Sequence, residues 1–324
     1  MKAVIVGDVM VDSYLWGDVD RISPEAPVPI VHVHKHESRP GGAANVAMNI
    51  SALDATPILV SMTGDDRYGD QFMELLKECG MPAHGMLRSA SRTTTVKTRV
   101  IGNHHQLLRV DEEEVADLND DDAKKLIAHF AKIIESEKPD VVILEDYDKG
   151  ILSEQVIRSV IDIARSHGVP VTVDPKKKNF NTYSSVDLFK PNLLELRMGL
   201  KIDVDKNDVD TIRDAAMKII SERSCNMVMV TLSEAGVFIA DNGDHKVIPA
   251  HVRDISDVSG AGDTVISVAS LALAAGLPKE SIAALSNLAG GLVCEVVGVA
   301  PIDKQRLIKE SESLSILENE SYNS

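Results

Sequence analysis

Short apolar runs alternate with helix-period segments along most of this chain, and that alternation restricts the fold more than any other feature. Lys2–Val6, Pro57–Thr63, Val141–Glu145, Val171–Asp174 and Met227–Thr231 read as buried strands, and Leu188–Lys190 as a shorter one. Ala43–Leu53, Asp70–Cys79, Glu154–His167 and Asp208–Arg223 carry helical periodicity. Gly80 closes one of these helices, and Gly168 with Pro170 another. Strand, helix and strand in succession predict an α/β fold, a mainly parallel sheet with helices on both faces. Such sheets bind ligands at the carboxyl ends of their strands. Val28–His36 and Val96–Asp111 break the rhythm, being extended with no helix between them. They predict a small antiparallel sheet that hangs over the strand ends as a lid. Val237–Ala240 and Lys246–Ala250, joined by Asp241-Asn242-Gly243-Asp244, predict a hairpin. The acidic run Asp111–Asp122 reads as a solvated loop and helix start. One domain is expected over residues 1–310, with lid segments at about 13–38 and 92–111. A polar, partly disordered tail is expected over 311–324.

The stretch Asp257-Val258-Ser259-Gly260-Ala261-Gly262-Asp263-Thr264 runs into a long apolar helix pattern, Val265–Ala275, closed by Gly276. Small residues let the backbone approach a ligand closely. A helix start there turns unpaired N–H groups and a partial positive charge outward, which suits a phosphoryl group. Asp263 at its edge is placed to take a proton from a hydroxyl. An ordinary glycine-rich helix entry, with an aspartate favoured by the helix dipole, accounts for the same residues.

Gly41-Gly42-Ala43-Ala44-Asn45 is a second such entry, and Asn45 both donates and accepts, as sugar hydroxyls require. Asp8 and Asp12 follow the first strand; Asp12 leads into the inserted segment and is the better candidate to hold two sugar hydroxyls, while Asp8 reads equally well as a turn residue. Asn192 and Glu195, three apart on an opening helix, suit the water shell of Mg²⁺, although the spacing alone favours a capping box. Asp174-Pro175-Lys176 ends a strand, where Lys176 can neutralise phosphate. Thr231, Glu234 and Gly236 lie between a strand and the hairpin, where a nucleotide can rest. His32, His34 and His36 share one face of a strand and read as lid surface.

A net charge of −16 argues against nucleic acid and acidic membrane surfaces as partners. Three cysteines without metal-like spacing point to a reduced, cytoplasmic setting, and no signal peptide or membrane span is legible. There is no Gly-x-x-x-x-Gly-Lys-[Ser/Thr], and no Gly-x-Gly-x-x-Gly follows the first strand, which disfavours a P-loop enzyme and a dehydrogenase.

Taken together, the motifs Gly41–Ala47 with Gly64, Asn192–Glu195, and Asp257–Thr264 resemble, in that order, those of the ribokinase-like (PfkB) carbohydrate kinases. The resemblance covers the chain to roughly residue 305. It implies ATP-dependent phosphorylation of a sugar hydroxyl, with Asp263 as general base and the Gly260, Ala261, Gly262 and Asp263 backbone as anion hole. Asp12, Gly41, Gly42, Asn45 and Glu145 would hold the sugar. Lys176, Asn192, Glu195, Thr231, Glu234, Gly236, Gly260, Gly262 and Asn287 would serve the nucleotide, Asn192 and Glu195 ordering Mg²⁺ through water. Asp257 and Ser259 match positions that help bind a monovalent cation such as K⁺. A β-sheet lid and a homodimer formed through it are also implied.

Arg21–Pro29, Arg39–Ala47, Gln106–Asp111 and Glu145–Gly150 are similar, more narrowly, to the bacterial heptose-7-phosphate kinases. That implies D-glycero-β-D-manno-heptose 7-phosphate as substrate, the 1,7-bisphosphate as product, and a place in lipopolysaccharide synthesis. Lys97, Arg99 and Arg109 on the inserted strands are the candidates for the substrate phosphate, with surface pairing to Asp111–Glu114 as their other reading. Many such proteins carry a fused nucleotidyltransferase domain, and at 324 residues this chain is expected to act as a separate kinase. Asp54, Val268 and Asp148 depart from the family pattern; Asp148 stands where the heptose kinases usually have glycine. The other readings are a kinase for a different sugar or a nucleoside, and a non-catalytic sugar- or nucleotide-binding regulator.

Overall fold

The computed structural model describes residues 1–103, 105–251 and 253–316. Strand β1 (Lys2–Gly7) opens the chain and two long strands follow, β2 (Val9–Ile22) and β3 (Pro29–Gly42). Helix α1 (Ala43–Ala52) leads to β4 (Thr56–Gly64), α2 (Arg67–Glu78) and β5 (Met86–Ser89). Next come β6 (Thr95–Gly102), β7 (His105–Glu112), α3 (Asp120–Glu137), β8 (Val141–Glu145), α4 (Glu154–Ser166) and β9 (Val171–Asp174). The remainder is β10 (Leu188–Phe189), α5 (Leu193–Leu200), α6 (Val209–Arg223), β11 (Met227–Thr231), the hairpin β12 (Val237–Asp241) and β13 (His245–Ile248), then α7 (Ala261–Ala274), α8 (Lys279–Val293) and α9 (Lys304–Ser313).

Among the described residues the larger sheet has nine strands, in the order β13-β12-β11-β10-β9-β8-β1-β4-β5. It is parallel from β5 to β11, and β12 and β13 continue it antiparallel. Central β1 explains the layering. Ala3, Val4, Ile5 and Val6 are all fully buried, which only a sheet covered on both faces allows. Val4 and Val6 join the core beneath α3 and α4, while Ala3 and Ile5 join the one beneath α1 and α2. Helix α4 shows the local logic. Ser153 caps its start, Val156, Ile157, Val160, Ile161 and Ala164 face the core, and Gly168 at φ 69° follows its end. Each such buried Val or Ile stabilises by about 1.5–3 kcal/mol over exposure.

The lid exists, with a different build. It is a four-stranded sheet, β3-β2-β6-β7, and β2 pairs with β6 in parallel, so the sheet is mixed rather than antiparallel. Strand β2 supplies the unexpected member, entering directly from β1. Helix α2 begins at Arg67, earlier than Asp70, because Asp66 caps it by accepting from Gly69 N at 2.8 Å. The acidic run is no uniform solvated loop. Asp111 and Glu113 pair with Lys97, and Asp122 is buried, accepting from Ser89 Oγ at 2.5 Å, Ser91 Oγ at 2.8 Å and Lys125 Nζ at 3.1 Å. Helix α9 extends to Ser313, and Glu310 within it pairs with Arg253 and Arg306; residues 317–324 lie outside the described residues. The departures from pattern at Asp148 (φ 55°) and Asp54 (φ 59°) occupy left-handed backbone, where Asp is among the better-tolerated alternatives to glycine.

Candidate active site

Gly260 is the N-cap of α7, and its φ of 80° favours glycine; a Cβ there would also come within 2.9 Å of Asn45 Nδ2. No side chain caps the first turn of α7 among the described residues; Ala261 N donates to Val258 O at 3.3 Å, which leaves the amides of Gly262 and Asp263 to face an anion. Asp263 lies in that turn, 6% exposed. Its Oδ2 accepts from Asn45 Nδ2 at 2.5 Å and its Oδ1 from Tyr147 Oη at 2.7 Å. Helix α1 is fixed against α7 by Asn49, fully buried, whose Oδ1 accepts from Thr264 Oγ1 and Ile302 N, each at 3.0 Å. Burial pushes the Asp263 carboxyl up to about 6 and Asp174 adds to the rise, while the bonds from Asn45 and Tyr147 oppose it. A base near neutrality is suited to taking a proton from an alcohol.

Two further carboxylates end adjacent strands: Glu145 closes β8 and Asp174 closes β9. One oxygen of each lies within 4.8 Å of the others and of an Asp263 oxygen. Lys190 Nζ sits 2.8 Å from Asp174, and Lys176 Nζ lies 3.8 Å from Asp174 and 2.6 Å from Glu195. Burial lowers the Lys176 ammonium's tendency to hold its proton, but Asp174, Glu195 and Glu145 outweigh it and hold the group charged. Glu145 is pushed well above the usual carboxylate range, first by complete burial and then by Asp174 and Asp263. Both Glu145 carboxylate oxygens and Asp174 Oδ1 are buried with no hydrogen-bond partner. Orphaned oxygens of this kind, beside further carboxylates, fit a hard divalent cation such as Mg²⁺, which takes oxygen ligands.

On the sugar side, Gly41 and Gly42 end β3 against Asp12 and Asp8. A Cβ on Gly41 would meet Asp12 Oδ2 at 2.1 Å, and Gly42 adopts φ 64° to enter α1. Asp12, 7% exposed on β2, pairs with Arg99 Nη1 at 2.5 Å. The Asn45 Oδ1 acceptor is buried and unpartnered, beside the base. Arg99 and Arg39 both lie against the Tyr14 ring, at 5.2 Å and 5.6 Å from its centroid. Arg39 Nη1 also donates to Val299 O at 2.9 Å, tying the lid to the far side of the cleft. Lys97 and Arg109 do not join this group. They pair with Asp111 and, for Lys97, Glu113, which is the surface arrangement their spacing allows.

On the nucleotide side, Asn192 and Glu195 form a reciprocal capping box on α5, and Glu195 turns its second oxygen to Lys176. Thr231 bridges to Asn192 across the strand ends. Gly236 is required by packing, since a Cβ would lie 2.0 Å from Ile248 O. Glu234 is exposed in the turn Ser233–Ala235 and pairs with Lys206. Asn287 on α8 donates to Pro249 O at 2.8 Å. Asp257 accepts from Ser259 N and Gly298 N, each at 2.9 Å, and so links two loops beside α7.

Tyr147 and Lys190 complete the site without a sequence expectation. Lys190 had a readable signal, a lysine closing a buried strand. Tyr147 had only its place in the Glu145–Gly150 stretch, and the fold alone brings it to Asp263.

The pfkB family carbohydrate kinase profile matches residues 1–305. Bifunctional protein HldE of Magnetococcus marinus is 42% identical over 306 residues, covering 94% of this chain and 62% of that protein, so the chain spans under two thirds of the length of this relative. Two solved structures share the fold. Phosphofructokinase-2 from Escherichia coli in complex with potassium superposes with a TM-score of 0.78 at 20% identity, over 97% of this chain and 98% of that one. Arabidopsis thaliana ribokinase complexed with ribose and ATP gives 0.70 at 18%, over 95% and 97%. The chain belongs to the pfkB family of carbohydrate kinases, phosphotransferases that act on an alcohol group.

Proposed function

We propose that this chain transfers the γ-phosphoryl group of ATP to the anomeric hydroxyl of D-glycero-β-D-manno-heptose 7-phosphate, giving the 1,7-bisphosphate. The observation that carries the reading is the buried Asp263, aimed by Asn45 and Tyr147 at the mouth of an uncapped helix. The similarity to bifunctional HldE proteins and the motifs shared with heptose kinases support the choice of sugar.

In the proposed reaction the sugar O–H proton passes to Asp263, and the oxygen attacks phosphorus in line with the departing ADP. The Gly260–Asp263 turn, through the amides of Gly262 and Asp263, stabilises the charge on the transferring group. Lys176 and Lys190 offset the carboxylates that crowd the cleft. Asp12, Gly41, Gly42 and Asn45 orient the sugar, and Arg99, beside Asp12, meets its distal phosphate. Lys176, Asn192, Glu195 and Thr231 border the nucleotide, with Gly236 and Asn287 further along the same edge. Glu145, Asp174 and Glu195 would hold Mg²⁺, directly or through water, which when bound screens the phosphate charges. K⁺ is proposed at the loops joined by Asp257, next to Ser259.

A homodimer through the lid fits the exposure of every residue of β7, which leaves Leu107, Leu108 and Val110 uncovered. Free Cys79, Cys225 and Cys294 accord with a cytoplasmic setting. Among the described residues no helix is long and apolar enough to cross a membrane.

ADP release, measured across sugars with and without terminal phosphates, tests the reading. Heptose 7-phosphate should turn over fastest. Faster turnover of fructose phosphate, ribose or a nucleoside would move the substrate within the family. Ligand binding without ADP release from any sugar would favour a non-catalytic regulator.

A further inference from the structure

Asp8 is buried, 1% exposed, beside the site but in contact with none of the reacting groups. Among the described residues no cation bonds to its carboxylate. Oδ2 accepts from Tyr147 N at 2.8 Å and Lys149 N at 3.1 Å, and Oδ1 accepts from Ile151 N at 3.0 Å. Three amides of one loop therefore converge on a single anion, an arrangement that fixes the loop's backbone. That loop carries Tyr147, whose hydroxyl holds Asp263 Oδ1. Asp148, in the left-handed region at φ 55°, makes the turn that lets the flanking amides point inward together.

The main chain of the same residue serves the other side of the base. Asp8 O accepts from Ala43 N at 2.8 Å, at the first residue of α1. Asn45, two residues further along, holds Asp263 Oδ2. Both donors to the proposed base are thus anchored at one position, Tyr147 through the Asp8 carboxylate and Asn45 through the Asp8 carbonyl.

We propose that Asp8 is the positioning residue for Asp263, its carboxylate acting through the 147–151 loop and the Tyr147 hydroxyl. The inference rests on the reading of Asp263 as general base. Two separate arms make it testable, because a side-chain substitution removes the carboxylate and leaves the carbonyl in place.

The experiment is a pair of double-mutant cycles on the whole chain, read as kcat and KM for ATP and for the sugar phosphate. Tyr147→Phe leaves the Asp8 cluster whole and removes only the hydroxyl. Losing a hydrogen bond to a charged group should lower kcat roughly 10-fold, with KM for ATP unchanged within about twofold. Asp8→Asn keeps the shape and sets an amide NH₂ against at least one of the three N–H groups, and should lower kcat to a similar extent. In the Tyr147→Phe background, Asp8→Asn should cost no more than about another twofold, since the two act in series. With Asn45→Ala, which belongs to the other arm, the two losses should multiply. Multiplying losses for Asp8→Asn with Tyr147→Phe, or a loss confined to KM, would overturn the inference while leaving the kinase reading intact. So would a Tyr147→Phe variant with wild-type kcat, which remains decisive even if Asp8→Asn fails to fold. A wild-type chain that turns over no sugar would overturn the functional reading and this inference with it.

Discussion

Asn45 and Asp263 are 218 positions apart in sequence, and Asn45 Nδ2 donates to Asp263 Oδ2 at 2.5 Å. The first residue follows the paired glycines that end β3, and the second lies in the glycine-rich turn that opens α7. Their bond joins the two motifs into one cleft.

Replacing the neutral partner by an acid tests that junction. Asn45→Asp would set a second carboxylate against Asp263, and two carboxylates at hydrogen-bond distance retain a shared proton. Turnover at pH 7 should fall roughly 10-fold or more, and the acid limb of the rate profile should move to higher pH. A profile unchanged in position would show that Asn45 does not face the base.

The unaltered protein carries its own pH signature. Asp263 is raised to about 6, and a general base works only when ionised. The value of kcat/KM should therefore climb with pH through about 6 and level off above it. At pH 5 it should be about tenfold below the plateau. A flat profile between pH 5 and 7.5 would remove Asp263 from the proton transfer.

Lys190 gives a stability test. It is 2% exposed and lies 2.8 Å from Asp174, itself 3% exposed. Lys190→Met would take the nearer cation from a buried carboxylate beside Glu145 and Asp263, leaving it only Lys176 at 3.8 Å. Breaking a buried pair in this way costs about 3–5 kcal/mol, to be read as a lower urea midpoint. Lys190→Met with Asp174→Asn should recover part of that loss.

Asp122 predicts an acid sensitivity away from the site. Burial raises its carboxyl, but bonds from Ser89, Ser91 and Lys125 prevail and hold it at about 2 against an ordinary 3.8. A lowered folded value means stability that is present above 3.8 and lost as the pH falls through about 2. Asp122→Asn should therefore be less stable than the parent at pH 6, and the gap should close towards pH 2. A constant gap across that range would count against the assignment.

The large sheet was legible because β1, β8, β9 and β11 are buried on both faces and so appear as unbroken apolar runs. Strand β2 was hidden because Asp12, Gly17, Asp18 and Asp20 interrupt it with residues that strands disfavour; as a partly exposed lid strand it tolerates them. The glycines, Asn45 and Asp263 were readable because close backbone approach and helix entry require particular residue types. The role of Asp174 was not, since it comes from strand order: β8 and β9 are neighbours in the sheet, so their last residues, Glu145 and Asp174, face the same cleft; Tyr147 lies in the loop after β8 and is brought to Asp263 by the fold. Lys97 and Arg109 carried suitable charge and lid positions, yet acids on the lid itself claim them.

Phosphoryl transfer by Asp263→Asn probes the account most directly, measured in a single turnover with saturating ATP and heptose 7-phosphate. The substitution keeps the shape of the side chain and removes its capacity to take a proton. ATP should still bind with parental affinity, and the transfer rate should fall roughly 10²–10⁴-fold. Transfer at a near-parental rate would contradict the assignment of Asp263 as the base on which this site is built.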